Sequence, residues 1–232
     1  MGIKKIIKLF EDGNVSISGL RGTGKDMLMG NVIIRRGLPY VSNLNYGGKW
    51  IPLNWPDIDC HNNYTNFISG KINHFDWPYP DRVDIYASDL GIILPSQFCN
   101  ELNRNYGYLP VTQALTRHFG LCNFHYNTQN LNRVYDKVRE QSDLYIRCIS
   151  CHVIFGIVFQ RIIIYENYES CVKRVPPFRL RKPLLNADRR QQWEIQKTNY
   201  EITWGTVTPM FLIYRNRSTY NTRYYKELMA NA

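Results

Sequence analysis

The chain has 232 residues, 44% of them hydrophobic, so it can bury a core and global disorder is excluded. It carries 29 Lys or Arg against 19 Asp or Glu, a net charge of +10, which favours partners such as nucleic acid or an anionic membrane surface. Its most apolar run, Val153–Ile164, is too short for a membrane helix, is β-branched and contains Gln160 and Arg161.

Taken in order, Met1–Lys8 alternates charges with short apolar pairs and builds no signal-peptide core. Six cysteines without a secretory signal lead us to expect reduced thiols in a cytoplasmic compartment. The Asn-x-Ser/Thr triplets at Asn63 and Asn216 are then chance matches. Asn14–Ser18 alternates as a strand, and Asp26–Arg36 reads as a helix stopped by Gly37. Pro39–Asn43 is a short second strand. Residues 44–80, rich in Asn, Trp, Tyr, Pro and Gly, read as an irregular insertion with one helix near Asn63–Ser69. Val83–Ser88 is a strand with Asp89 at its end, followed by helices over Pro95–Arg104 and Leu109–Arg117. Leu121–Thr128 is the next strand, ending on Gln129, and Asn132–Gln141 a polar helix. Leu144–Cys151 and Val153–Tyr165 are two strands, joined near Cys151-His152 or bent at Gly156. This order predicts a three-layer α/β domain over residues 1–170 with a mainly parallel sheet.

The stretch Gly19-Leu20-Arg21-Gly22-Thr23-Gly24-Lys25-Asp26 satisfies the phosphate-loop pattern G-x-x-x-x-G-K-[ST] everywhere except its last position. Glycines let backbone N–H groups turn onto phosphate oxygens, and the helix N-terminus adds partial positive charge. A strand before and a helix after support a working loop against a plain Gly-rich turn. Lys25 would reach the β- and γ-phosphates; Gly19, Gly22, Thr23, Gly24 and Asp26 complete the cofactor-binding set for ATP. Asp26 replaces the hydroxyl that meets Mg²⁺. It either ligates Mg²⁺ itself or turns away to favour the helix start, where acidic residues belong.

Cys148-Ile149-Ser150-Cys151-His152 matches the c-type haem pattern C-x-x-C-H. Its apolar strand context makes these cysteines small hydrophobes, and a zinc site with Cys171 lacks a second close pair.

Taken together, the loop, the strand ending in Ser88-Asp89, the Arg117-His118 pair before the next strand, strand-end Gln129 and helix-borne Arg139 resemble the zonular occludens toxin-like family. These are phage P-loop ATPases related to the FtsK–HerA DNA-pumping enzymes and to filamentous-phage assembly ATPases. The resemblance covers about residues 10–170. It implies a three-layer P-loop NTPase in which Lys25, Asp89, Gln129 and Arg139 are catalytic. It also implies an ATPase acting on viral DNA, single- or double-stranded, during packaging or virion assembly. A homo-oligomeric ring is implied because the superfamily completes its site with an Arg from the next subunit; Arg133 and Arg139 are the candidates. The family's usual Asp-Glu is Ser88-Asp89 here, so a hydroxyl and a carboxylate have exchanged places. Asp26, Ser88 and Asp89 together could rebuild a Mg²⁺ site. The family's filamentous-phage members carry a membrane helix that this sequence does not show. The expectation is therefore a protein of the host cytoplasm, recruited to the inner membrane face or the virion by a capsid or membrane partner.

From Lys173 to Ala232 there are 12 Lys or Arg against 4 Asp or Glu. Phe178 and Trp193 lie among these cations, a composition suited to single-stranded DNA, an acidic partner or an anionic membrane. Residues 171–232 are read as a basic aromatic arm or small subdomain. Two other readings stay open: a non-hydrolysing nucleotide- or DNA-binding assembly protein with a degenerate loop, and a helicase-like replication factor.

Overall fold

The computed structural model describes residues 2–53, 69–71, 80, 83–98, 123–166, 168, 171 and 207–219. One helix, α1, spans Ile3–Asp12. It has no counterpart in the sequence reading, yet Ile3, Ile6 and Phe10 recur at helical spacing and are buried. Strand β1 (Val15–Ser18) leads into the glycine loop, and α2 (Lys25–Arg36) leaves it. The α2 helix ends as expected: Gly37 takes a left-handed φ of 68° and its N–H bonds the carbonyl of Ile33.

Three strands follow, β2 (Tyr40–Ser42), β3 (Trp50–Pro52) and β4 (Asp84–Ala87), then the short helix α3 (Leu90–Ile93). Strand β5 is Phe124–Thr128, α4 is Asp136–Arg139, β6 is Leu144–Ile154, β7 is Ile157–Tyr165 and β8 is Val207–Arg215. They form one sheet in the order β3-β2-β4-β5-β1-β6-β7-β8. Pairing is parallel from β3 to β6 and antiparallel for β7 and β8. The parallel strands β1, β2, β4 and β5 are buried on both faces, as helix-covered sheets require. One face packs on α1 and α2; the other packs on Leu90, Leu94, Leu131, Val134 and Val138. The chain is thus a three-layer α/β structure with a mainly parallel sheet.

Several elements differ from expectation. The helix expected over Asn132–Gln141 is broken into a 3-10 turn, Leu131–Arg133, and α4. Val134 pairs with Pro95 and the Tyr135 N–H bonds the Leu94 carbonyl, so this stretch is extended. Of the helix expected at 95–104 only residues 95–98 are described: Pro95 forms a β-bridge and Ser96–Phe98 a 3-10 turn. Of the two alternatives for the β6–β7 connection, the structure takes the one at Gly156, with the turn at Phe155-Gly156 and not at Cys151-His152. Residues 207–215, assigned by the sequence to the C-terminal arm, pair with β7 over its whole length. The expected helix at 63–69, Ser69 apart, the expected helix at 109–117 and the basic residues Lys173–Arg190 lie outside the described residues.

Candidate nucleotide site

The chemistry gathers at the carboxyl ends of the parallel strands, where such sheets bind ligands. Helix α2 runs back over the sheet, so its first turn lies over these ends and its last turn over the strand starts. Alternation along β4 and β5 decides what it meets: Asp84, Tyr86, Ser88, His125 and Asn127 all face the α1–α2 layer.

The loop between β1 and α2 depends on two glycines. At Gly19, φ is 153° and an added Cβ would fall 2.5 Å from the Cys148 carbonyl oxygen. At Gly24, φ is 80° and a Cβ would fall 2.6 Å from Cys151 Sγ. The loop therefore lies directly on β6, too close for any side chain. The Gly24 carbonyl accepts from the Leu28 N–H at 2.9 Å, closing the first turn of α2. Lys25, the first helical residue, is buried, and its Nζ lies 3.4 Å from the Leu20 carbonyl. Thr23 Oγ1 donates to the same oxygen at 2.7 Å.

Asp26 does not cap the helix. Its Oδ1 accepts from Ser88 Oγ and Asn127 Nδ2, both at 2.7 Å, and from the Tyr46 hydroxyl at 3.2 Å. Asn127 Oδ1 in turn accepts the backbone N–H of Asp89 at 2.9 Å. Asp89 itself has a left-handed φ of 52°, a conformation uncommon outside glycine that turns the chain from β4 into α3. Burial, and then the neighbouring charge of Asp26, raise the Asp89 carboxyl above its ordinary range, against the opposing pull of Lys25. Asp26, Ser88 and Asp89, predicted as a Mg²⁺ set, are thus brought together.

No group of three His, Cys, Asp or Glu side chains suited to a metal occurs among the described residues. Two mutually repelling carboxylates and a hydroxyl still fit Mg²⁺, which keeps several waters and takes its other ligands from phosphates.

Gln129 is exposed at the end of β5. With Ser18, Gly19, Thr23 and Arg147 it lines a cavity of about 360 Å³ beside the loop. Arg139 is engaged elsewhere: its guanidinium lies 4.1 Å from the centre of the Tyr168 ring, and its Nη1 is 3.5 Å from the Leu131 carbonyl. Arg133 is exposed, and Arg117-His118 lies outside the described residues.

Three supports were missed by sequence reasoning. Asn127 is one; a polar residue ending the alternation "FHYNT" was its signal. Gln160, in the middle of an apolar strand, is another. Its Nε2 donates to the carbonyls of Thr23 and Gly24, both at 3.0 Å, and its Oε1 accepts from the Tyr214 hydroxyl at 2.8 Å. The third is Asn31 on α2, fully buried, which bonds Asn216 Oδ1 at 2.8 Å and the Arg217 N–H at 2.9 Å. Cys148, Cys151 and Cys171 are free thiols. Burial pushes the Cys148 and Cys151 thiols up and raises Cys171 to about 11, so none is a ready thiolate at neutral pH.

Strand, glycine loop and helix on a mainly parallel sheet define an α/β protein of the P-loop class. No protein-family model and no curated protein matches the sequence. Among solved structures, the chain is similar to the N-terminal domain of zonular occludens toxin from Neisseria meningitidis, at 12% identity and a TM-score of 0.44, covering 92% of this chain and 97% of that one. B204, the DNA-packaging ATPase of Sulfolobus turreted icosahedral virus, is similar at 12% identity and a TM-score of 0.41, covering 68% and 93%. EssC (ATPases 2 and 3) from Geobacillus thermodenitrificans is similar at 11% identity and a TM-score of 0.42, covering 83% and 45%. At these scores the likeness carries neither an activity nor a partner over to this chain.

Proposed function

We propose that this chain is an ATPase that couples nucleotide hydrolysis to the movement of viral DNA in packaging or virion assembly. The observation that carries the ATPase reading is the junction of Lys25 and Asp26, on the first turn of α2, with Ser88 and Asp89 at the end of β4. Lys25 now rests on the Leu20 carbonyl, a weak contact that a phosphate oxygen would replace. The loop N–H groups and the start of α2 orient the phosphates, and Lys25 holds the charge that develops on them. Asp26, Ser88 and Asp89 would hold Mg²⁺, which supplies charge neutralisation at the phosphates. Asp89 is the candidate to position the attacking water and Gln129 to sense the nucleotide from the cavity side. The DNA substrate, the ring and the recruiting partner follow the sequence resemblance and the basic composition.

A second reading is favoured by the three donors on Asp26 Oδ1. A carboxylate so occupied suits a protein that binds nucleotide without hydrolysing it.

The test is Mg²⁺-ATP turnover by wild type, Lys25→Ala and Asp26→Ser, with and without single-stranded DNA. Turnover that DNA stimulates and Lys25→Ala abolishes supports the motor. Wild-type binding without turnover, with activity gained in Asp26→Ser, overturns hydrolysis in favour of the second reading.

A further inference from the structure

The β6–β7 hairpin closes through a two-residue loop, because Ile154 pairs with Ile157. Both loop residues have positive φ, 49° at Phe155 and 74° at Gly156. Such turns call for Asn-Gly or Asp-Gly. The position before Gly156 is instead a phenylalanine, forced into a backbone region that bulky residues avoid. Nothing in the fold compensates: Phe155 is 100% exposed. It therefore weakens the turn and wets a whole aromatic ring, both of which an asparagine would avoid.

The residues around it share this character. Val153–Ile157 contains no polar side chain, and Val153, Ile154 and Ile157 are all exposed. Scattered exposed hydrophobes are ordinary, but a contiguous apolar tip marks a contact surface. Behind the tip the charge has one sign. Arg215 is the cross-strand neighbour of Ile157, and Arg161 lies further along β7. Residues 150–161 and 207–219 contain no Asp or Glu.

We infer that the β6–β7 tip inserts into an anionic lipid surface, Phe155 leading and Arg161 and Arg215 meeting the headgroups. An apolar tip backed by cations is the pattern of interfacial membrane contact. Single-stranded nucleic acid shares the cation requirement but wants planar rings to stack on, whereas three of the four large side chains here are aliphatic. The inference does not depend on the nucleotide site.

The full chain is tested by co-sedimentation with phosphatidylcholine vesicles, with and without phosphatidylglycerol. Wild type is expected to bind the anionic vesicles. Phe155→Asn should weaken that binding by about tenfold or more while keeping or raising the melting temperature, since Asn suits the turn. Arg161→Gln with Arg215→Gln should reduce the preference for phosphatidylglycerol. As an independent readout, Phe155→Trp should be quenched by brominated acyl chains. No vesicle binding by wild type, undiminished binding by Phe155→Asn, or a Phe155→Asn defect confined to single-stranded DNA would each overturn the inference.

Discussion

Gln160 on β7 lies 3.0 Å from the carbonyl oxygen of Gly24, so a strand from the antiparallel end of the sheet holds the floor of the phosphate loop. The same amide bonds the Thr23 carbonyl, and the Tyr214 hydroxyl on β8 orients it. The backbone N–H groups of a phosphate loop act only when pre-aimed, and a fully buried amide held by the Thr23 and Gly24 carbonyls and the Tyr214 hydroxyl supplies that rigidity.

Gln160→Leu keeps the volume and removes the bonds. It takes one donor from each of the Thr23 and Gly24 carbonyls, the second of which keeps the Leu28 N–H, and each lost bond costs about 1 kcal/mol. Nucleotide affinity should fall by about tenfold, with the KM for ATP rising more than kcat falls. Tyr214→Phe removes one bond and should cost about 1 kcal/mol in thermal unfolding. Equal losses of kcat and kcat/KM in Gln160→Leu would instead place the residue in the chemical step.

The raised Asp89 carboxyl predicts a pH dependence with a definite sign. Burial and Asp26 favour its protonated form in the folded protein, so it takes up a proton at a higher pH than an ordinary carboxylate. Mg²⁺ needs the carboxylate, so Mg²⁺-dependent nucleotide binding should weaken on acidification before an unperturbed Asp, near about pH 4, would titrate. Asp26→Asn removes the like charge and should move that profile to lower pH. In the metal-free protein the ionised Asp89 opposes folding, so stability falls as pH rises through its titration, and Asp89→Asn should raise the melting temperature at neutral pH. An unmoved profile in Asp26→Asn would mean that the two carboxylates do not share a site.

At the opposite end of α2, Arg36 and Asp84 form a buried ion pair that the Tyr86 hydroxyl also joins. His125 accepts the Val15 N–H through Nδ1, which leaves the proton on Nε2, 3.6 Å from Asp84. Burial lowers the His125 pKa against the pull of Asp84, so the ring is neutral and the contact is not an ion pair. Burial opposes ionisation of Asp84 too, but His125 and Arg36 outweigh it and hold the carboxyl below its ordinary range. Both groups lose stability in the same direction. The unfolded chain takes up protons at His125 below about pH 6.5 and at Asp84 below about pH 4, in each case before the folded chain does. Melting temperature should therefore fall in two steps on acidification, and His125→Gln should flatten the upper one. Asp84→Ala should cost about 3–5 kcal/mol, because it leaves Arg36 buried without its counter-charge. A wild-type melting temperature independent of pH across both steps would contradict this assignment.

Much of the fold was legible in the residues. The alternation of Val15–Ser18, the stop at Gly37 and the buried runs of β4 and β5 are local signals, and local sterics and burial decide them. The helix over Ile3–Asp12 carries the same kind of signal, in Ile3, Ile6 and Phe10, but the lysines between its apolar residues mask the period. Residues Asn132–Gln141 failed for the opposite reason. Their polar helical pattern yields to a distant partner, Leu94-Pro95, whose backbone claims Val134 and Tyr135.

The sequence by itself determined the phosphate loop, the strand that bears Ser88 and Asp89, and the unusual carboxylate at Asp26, because glycine conformation, helix starts and strand ends are written in neighbouring residues. Only the tertiary structure decided what Asp26 touches. Its partners Tyr46, Ser88 and Asn127 come from separate segments, and strand order together with the β2–β3 connection brings them to one oxygen. The same holds for Gln160, which reads along the chain as an interruption in an apolar strand. It becomes a support for the loop because β6 and β7 pair antiparallel and set its amide against Gly24. Long-range pairing places these groups, and no local spacing encodes it.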